Sequence, residues 1–193
     1  VALVGEYPSL LVVQVKTPVN TAKEFTAWAR QKNPSVSYAS SGAGGAQHLA
    51  MELFRKAAGF PALHVPYNGS APALSALLAN DVQLMVDVVS TSLPHIKAGK
   101  LRLLAISADK RQKDIDAPTL KEAGIDVELF NWRGVFAPPG VNDAQRKAMI
   151  DMVAAMTKTP EWKEACEKRD WTQITVLGDD YKAFIDKESA RIE

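Results

Sequence analysis

Small and polar residues are concentrated in one run, 40–48, which reads Ser-Ser-Gly-Ala-Gly-Gly-Ala-Gln-His. The run follows a predicted strand, 36–39, and precedes a predicted helix that ends near Ala58. Small residues at such a junction leave backbone N–H groups uncovered, and the helix N-terminus adds positive partial charge. The run is therefore predicted to hold an anion, either a carboxylate or a phosphate. Judged locally, Gly44 and Gly45 are equally well explained by helix-to-strand packing or by a positive φ.

A second tight loop, Asn-Gly-Ser-Ala-Pro at 68–72, follows the next predicted strand, 63–67. Ser70 is predicted to cap the following helix, with Pro72 in its first turn, where the missing N–H does no harm. Open α/β sheets bind ligands outside the carboxyl ends of their strands. Two such loops at successive strand ends therefore favour a ligand over simple packing.

Residues 40–48 do not match three sequence patterns that are typical of enzymes or cofactor sites. A phosphate-binding P-loop needs a lysine after its last glycine, and the third glycine of a dinucleotide fingerprint falls on Gln47. A nucleophile elbow needs a glycine two positions before the serine, which neither Ser40 nor Ser41 has. No cofactor is expected.

The three histidines, His48, His64 and His95, lack a short metal-ligand spacing, so no metal site is expected. We expect His48 to bond locally in the first helical turn or to pack at a cleft wall. His64, within an apolar strand, is expected to be a core histidine with its hydrogen bonds satisfied.

Two charged residues stand out from their surroundings. Asp87 ends an apolar predicted strand, 82–88, so it must either be hydrogen-bonded by its neighbours or face a ligand. Arg133 lies in an extended stretch before a Pro-Pro-Gly break. Its guanidinium could donate two hydrogen bonds to a ligand carboxylate, or it could form a surface ion pair. Both alternatives stay open for each residue.

Composition limits the kind of partner. A net charge of +1 and a pI near 8.0 give no field that would gather nucleic acid, which is excluded as a partner. The single cysteine, Cys166, rules out a disulfide framework and fits a reducing compartment and a periplasm equally. No stretch is apolar enough to cross a bilayer. Because Val1 is not a methionine, we expect a processed or truncated chain.

Strand and helix patterns alternate along the chain, which predicts an α/β fold with a mainly parallel sheet flanked by helices. The boundary between two lobes is expected near residues 130–138. A methionine stripe at helical spacing is expected to be core: Met149, Met152 and Met156. The predicted strands are 10–15, 36–39, 63–67, 82–88, 101–107 and 172–177, with a long extended stretch at 127–137. The predicted helices start at 21, 46, 70, 92, 118, 142, 160 and 179.

Six motifs in order resemble the tripartite tricarboxylate transporter receptor family, also called Bug proteins, over essentially all 193 residues. They are Val-Ser-Tyr-Ala-Ser-Ser-Gly-Ala-Gly-Gly-Ala-Gln-His-Leu at 36–49, His-Val-Pro-Tyr-Asn-Gly-Ser-Ala-Pro-Ala at 64–73, Leu-Met-Val-Asp at 84–87, Ala-Gly-Lys-Leu-Arg at 98–102, Ala-Pro-Thr-Leu at 117–120 with Glu-Ala-Gly at 122–124, and Trp-Arg-Gly-Val-Phe-Ala-Pro-Pro-Gly at 132–140. The resemblance implies a non-enzymatic, periplasmic solute receptor of the type II periplasmic-binding fold. Such receptors close two α/β lobes on an organic acid and deliver it to membrane permease subunits.

Members of that family are longer, so the resemblance implies that an N-terminal third is absent here. Residues 10–131 would form a complete second lobe, and 1–9 with 132–193 the hinge and the rest of the first. Self-association of the truncated chain is a further possibility. A di- or tricarboxylate, or a related organic acid, would bind in the cleft between the lobes. The expected ligand contacts are Ser40, Ser41, Gly42, Ala43, Gly44, Gly45, His48, Tyr67, Asn68, Gly69, Ser70, Asp87 and Arg133.

One alternative function is an α/β enzyme that positions an anionic substrate at the same loop. Its reactive residues would be Ser41, His48 and Asp87. A third possibility is that the chain binds nothing by itself.

Overall fold

The computed structural model describes residues 1–112, 115–127 and 130–192 of the chain. It forms two compact units, one made of Val1–Tyr7 with Asn131–Glu193 and the other of Pro8–Phe130. We call these the terminal unit and the central unit. The assignment of 10–131 to one receptor lobe and of 1–9 with 132–193 to the other stays a prediction.

Strands and helices alternate through most of the described chain. The strands are β1 Ala2–Gln14, β2 Val36–Ser40, β3 Ala62–Pro66, β4 Leu84–Val88, β5 Leu101–Ile106, β6 Phe130–Val135 and β7 Thr172–Leu177. The helices are α1 Ala22–Arg30, α2 Ala46–Ala58, α3 Ser70–Ala79, α4 Val89–Lys97, α5 Asp143–Met156, α6 Pro160–Glu167 and α7 Gly178–Ile192.

The sheet of the central unit has the strand order β3-β2-β4-β1-β5. β2 is parallel to β3 and to β4, whereas β1 runs antiparallel to both β4 and β5. The α/β class is confirmed, but the expectation of a mainly parallel sheet is corrected to a mixed one. The reason is that β1 lies between β4 and β5 in the opposite direction, an arrangement that alternation along the sequence does not reveal.

Both faces of this sheet are covered in the central unit. Leu11 and Val13 of β1 belong to one buried cluster, with the aromatic rings of Phe25 and Phe54 from α1 and α2. Leu10 and Val12, which point the other way, belong to a second cluster with the leucines of α3. Burial on both faces explains why β1 reads as a continuous apolar run.

The terminal unit has its own pairing and a smaller core. The first residues of β1 pair antiparallel with β7, with Ala2 opposite Leu177 and Leu3 opposite Val176. Ala2, Val4 and Val153 form its buried apolar cluster, against which Val135 and Met156 pack. Asn142 and Gln145 form a reciprocal capping box at the start of α5, as their spacing suggests.

Several element predictions need correction. β1 begins at Ala2 rather than at residue 10, and α4 begins at Val89 rather than at residue 92. The helix predicted at 118–123 is a turn, because Ile106 bonds to the backbone on both sides of Thr119 and draws it into a bridge. The extended stretch predicted at 127–137 holds β6, and residues 128 and 129 lie outside the described chain. Met152 is 70 % exposed and is not part of the core.

Candidate functional site

The two loops predicted to hold an anion leave the sheet side by side. β2 and β3 are parallel, with Ser40 opposite Pro66, so their carboxyl ends meet at the same edge. The N–H of Tyr67 donates to the Ser40 carbonyl at 3.0 Å, and the N–H of Gly69 donates to the Ser41 carbonyl at 3.1 Å. The segments 41–45 and 67–69, called here the first and second loops, therefore form one hydrogen-bonded surface.

Each loop ends in a helix whose N-cap is a glycine. Gly45 precedes α2 and Gly69 precedes α3, and neither helix has a side-chain cap. The first N–H groups of both helices thus lack the usual side-chain acceptor, and both helix dipoles add positive partial charge at the same edge. Ser70, expected to be a cap, is instead the first residue of α3.

Backbone conformation, rather than packing, explains Gly42 and Gly44 of the first loop. Gly44 has a φ of +75° and Gly42 a φ of +151°, values that other residues rarely adopt. A Cβ added at either position would meet no atom within 4 Å. Gly45 differs, with a φ of −75° and the Gly42 carbonyl 3.6 Å from an added Cβ.

Gln47 links the two loops to the sheet beneath them. Its side chain is 4 % exposed. Its Oε1 accepts from the Ser41 N–H at 2.9 Å, and its Nε2 donates to Asp87 Oδ1 at 2.8 Å and to Ser70 Oγ at 3.3 Å. One buried amide thus joins the first loop, the start of α3 and the end of β4.

Asp87 supports this amide from within the protein. It is fully buried, and its second oxygen accepts from Ser92 Oγ at 2.6 Å. Burial raises its pKa, and the hydrogen bonds from Ser92, the Val88 backbone and Gln47 oppose the rise. Both carboxylate oxygens thus have donors from within the protein, which gives Asp87 a positioning role, and its contact with a ligand stays a prediction.

Ser40 has a similar supporting role. It is fully buried, and its hydroxyl donates to the Gly42 carbonyl at 3.0 Å. His64 Nε2 lies 2.7 Å from the same oxygen. The Gly42 N–H also donates to the Ser40 hydroxyl oxygen at 3.3 Å. Ser40 therefore fixes the shape of the first loop, and its contact with a ligand stays a prediction.

Three rings stack beneath the first loop. The His48 and His64 rings lie 3.9 Å apart, and the Tyr38 ring lies 4.9 Å from that of His64. His64 is half-buried on the edge strand β3, so the expected core histidine is corrected to a loop support. Burial and the neighbouring His48 lower its pKa. His48 Nδ1 accepts from the Gly44 N–H at 3.0 Å, which agrees with the expected local bond.

The stack continues into a charged pair on α2. The Tyr38 hydroxyl donates to Glu52 Oε1 at 2.7 Å, and Glu52 also forms an ion pair with Arg55 at 2.5 Å. The hydrogen bond from Arg55 is the largest cause that lowers the pKa of Glu52 to about 2, with burial opposing it. A carboxylate that stays ionised over the working pH range keeps the Tyr38 ring in place.

The residues of the alternative enzyme do not form a reactive set. Ser41 uses its N–H on Gln47, His48 Nδ1 is occupied by Gly44, and Asp87 is bonded to Gln47 and Ser92. Within the described parts of the chain, no hydrogen bond joins Ser41, His48 and Asp87 to one another. Among these three residues, no nucleophile is in contact with a base.

Arg133 lies in the terminal unit, on β6. Its guanidinium carbon is 5.0 Å from the centre of the Tyr7 ring and 5.6 Å from that of the Trp171 ring. Nη1 donates to Asn131 Oδ1 at 2.6 Å, and Nη2 donates to the Tyr7 hydroxyl. These neighbours are neutral and the side chain is exposed, so the charge is available to an anion.

The described ranges, 1–112, 115–127 and 130–192, contain neither a metal cluster nor a membrane-spanning helix. No group of three or more His, Cys, Asp or Glu side chains there could hold a metal ion. Among the described helices, none is long and apolar enough to span a bilayer.

Two residues of this site, Gln47 and Ser92, were not predicted from the sequence. Gln47 was noted only as a residue that breaks nucleotide-binding patterns. A signal for both was present, because a buried Asp87 requires donors, and Gln47 is an amide in a run of otherwise small residues.

Comparison with known proteins gives one family. The model described as "Tripartite tricarboxylate transporter family receptor" matches residues 1–193. A UPF0065 protein from the gbd 5' region of Cupriavidus necator is 30% identical over 188 residues, which covers 95% of this chain and 57% of that protein. BugT of Bordetella pertussis is 31% identical over 175 residues, which covers 83% and 54%. The chain thus spans about half the length of these curated relatives.

Solved structures agree with this result. Rpa4515 of R. palustris with adipate superposes with a TM-score of 0.87 at 30% identity, covering 99% of this chain and 64% of that one. The periplasmic binding protein BugD gives 0.86 at 26% identity, covering 99% and 65%. MatC from Rhodopseudomonas palustris with bound malate gives 0.73 at 27% identity, covering 84% and 56%. The solute-binding-protein fold expected from the sequence is confirmed.

Proposed function

We propose the function of this chain from one premise: it belongs to the tripartite tricarboxylate transporter receptor family, whose model matches residues 1–193. The family is one of solute receptors, not of enzymes. We propose that the chain, as part of such a receptor, binds a small organic acid outside the cytoplasm. Delivery of that acid to the membrane permease subunits of a tripartite tricarboxylate transporter belongs to the same proposal.

The observation that carries the proposal is the paired start of α2 and α3. Two helices begin side by side at glycines without a side-chain cap, and their loops are hydrogen-bonded to each other. A carboxylate at a helix N-terminus gains on the order of 0.3–1 kcal/mol when exposed and up to about 2 kcal/mol when partly buried. A di- or tricarboxylate is favoured because it offers separate anionic groups.

The ligands of two relatives belong to the same chemical class. Rpa4515 is described with adipate and MatC with bound malate, and both are dicarboxylates. These ligands belong to those proteins, and we transfer to this chain only their shared class. A periplasmic location is proposed on the same basis, from BugD.

We propose that backbone groups of the two loops make the ligand contacts. The N–H groups of Ala43, Gly45, Asn68 and Ser70 are the donors assigned to the ligand. The N–H groups of Ser41, Gly44 and Gly69 already donate within the protein, so ligand contact at these residues and at Gly42, His48 and Tyr67 is proposed through their other atoms. Ser40, Asp87 and Gln47 hold the loops in shape from below. Contact of Arg133 with a ligand stays a prediction, and Arg133→Ala in the titration below tests it.

Calorimetric titration with adipate, malate and citrate tests this function. We expect at least one acid to bind, and Gly44→Asp to weaken that binding at least tenfold, about 1.4 kcal/mol, because a carboxylate is placed on the anion surface. Gly99→Asp is the matched control, since Gly99 also has a positive φ and open space at its Cβ but follows α4. Binding of none of the acids, or equal affinity in Gly44→Asp and Gly99→Asp, would contradict the proposal.

A further inference from the structure

A cavity of about 340 Å³ lies in the central unit, away from the two loops. It is bordered by Val36 at the start of β2, whereas the first loop follows Ser40 at the end of that strand. At about 3.3 Å per residue, the two ends of β2 are roughly 13 Å apart. The cavity is therefore a separate place on the same sheet.

The charged residues that line the cavity are all positive. Lys16 follows β1 and Lys32 follows α1, and both line the cavity. Its other described lining residues include no aspartate or glutamate. The volume falls within the roughly 300–1,000 Å³ that small-molecule sites occupy. An anion is the ligand that this lining favours.

An aromatic wall lies next to one of these lysines. Trp28 is half-buried and packs against Phe25, with ring centres 5.6 Å apart. Lys32 Nζ lies 4.6 Å from the centre of the Trp28 ring. A carboxylate that pairs with Lys32 is thus brought against an aromatic surface, where a flat apolar group is buried favourably.

Arg102 holds the turn that forms one wall of the cavity. Thr17 lies in this turn and lines the cavity, and Arg102 Nη1 donates to the carbonyls of Thr17 at 2.9 Å and Val19 at 2.6 Å. The Thr17 hydroxyl oxygen exposes less than 1 Å² of surface, so it is not assigned a contact with a ligand. The two hydrogen bonds from Arg102 fix the turn that carries the neighbouring Lys16.

We propose that this cavity is a second binding site, specific for a small aromatic carboxylate. Lys16 and Lys32 hold the carboxylate, and Trp28 packs against the ring. Its ligand need not be the one that the loops bind, so the chain would carry two independent anion sites.

Benzoate is the probe for this site, added to the ¹⁵N-labelled chain and followed by NMR. We expect the Thr17 amide and Trp28 indole signals to shift in a saturable way. Lys16→Ala/Lys32→Ala is expected to weaken benzoate binding at least tenfold. Lys23→Ala/Lys56→Ala is the matched control, because it removes the same charge from exposed positions of the same unit that do not line the cavity.

The outcomes separate this site from the proposed receptor function. Gly44→Asp is expected to weaken adipate binding and to leave benzoate binding unchanged. If benzoate shifts neither Thr17 nor Trp28, or if the two double variants bind it equally, the second site is wrong. Loss of benzoate binding in Gly44→Asp would also overturn it, because benzoate would then occupy the loops.

Discussion

Replacing Gln47 by methionine removes the link between the two loops while keeping nearly the same side-chain length. Three hydrogen bonds are lost, to the Ser41 N–H, to Ser70 Oγ and to Asp87 Oδ1. Asp87 keeps its bond from Ser92 but loses a donor inside a fully buried site. Ser41 is half-exposed, so water replaces part of what its N–H loses.

The expected loss of stability follows from the environments of Asp87 and Ser41. A buried group left without its partner costs about 1–3 kcal/mol, and more when it is charged. Asp87 is expected to account for most of this, with a smaller contribution from Ser41. We therefore expect Gln47→Met to lower the free energy of unfolding by about 2–4 kcal/mol, a large share of the 5–15 kcal/mol that is typical of a domain. Affinity for adipate should fall as well, since the first loop loses its fixed position.

Urea unfolding of the chain, followed by circular dichroism, measures the first effect, and calorimetry measures the second. Gln31→Met is the matched control, because Gln31 is exposed and caps α1 through its backbone only. A loss of stability below about 0.5 kcal/mol, within the range of ordinary surface substitutions, would refute the reasoning. Loss of stability without loss of affinity would show that Gln47 supports the fold but not the ligand loops.

Two further predictions concern Asp87 and Gly134. Burial raises the pKa of Asp87 in the native state above the value of about 3.9 that it has in the unfolded chain. The native state therefore holds this proton more tightly, and the stability that it adds falls as the pH rises from the unfolded-state pKa through the native-state pKa. Asp87→Asn should remove that slope in urea titrations between pH 4 and 7, and an unchanged slope would assign it to another group. Gly134→Ala should lower stability by about 1–3 kcal/mol, because the added Cβ overlaps the buried Tyr181 hydroxyl and lies 2.8 Å from its Cζ. Thermal unfolding measures this loss, and an unchanged Tm would show that Tyr181 moves aside freely.

Much of the local structure follows from the sequence because its signals are local. The start of α2 after small residues and the capping box of Asn142 are set by residues within one helical turn. The position of the two loops at one edge also follows, since strand and helix alternate from β2 to α3. These features need no knowledge of distant contacts.

Other features depend on contacts between distant parts of the chain. The direction of β1 between β4 and β5 depends on pairing across more than seventy residues, as between Ser9 and Val88. The role of Gln47 depends on Asp87, forty residues away. A buried aspartate in the sequence indicates that hydrogen-bond donors must lie nearby, but it does not indicate which residues supply them. For the same reason helical spacing alone could not distinguish the exposed Met152 from the half-buried Met149 and Met156.

The ring stack of Tyr38, His64 and His48 limits which substitutions this family can accept during evolution. The three rings come from β2, β3 and α2, and the His64 ring lies against both of the others. Substituting a small residue for the middle ring would leave a gap on both sides at once. We therefore expect the three positions to covary among relatives and to be replaced as a set.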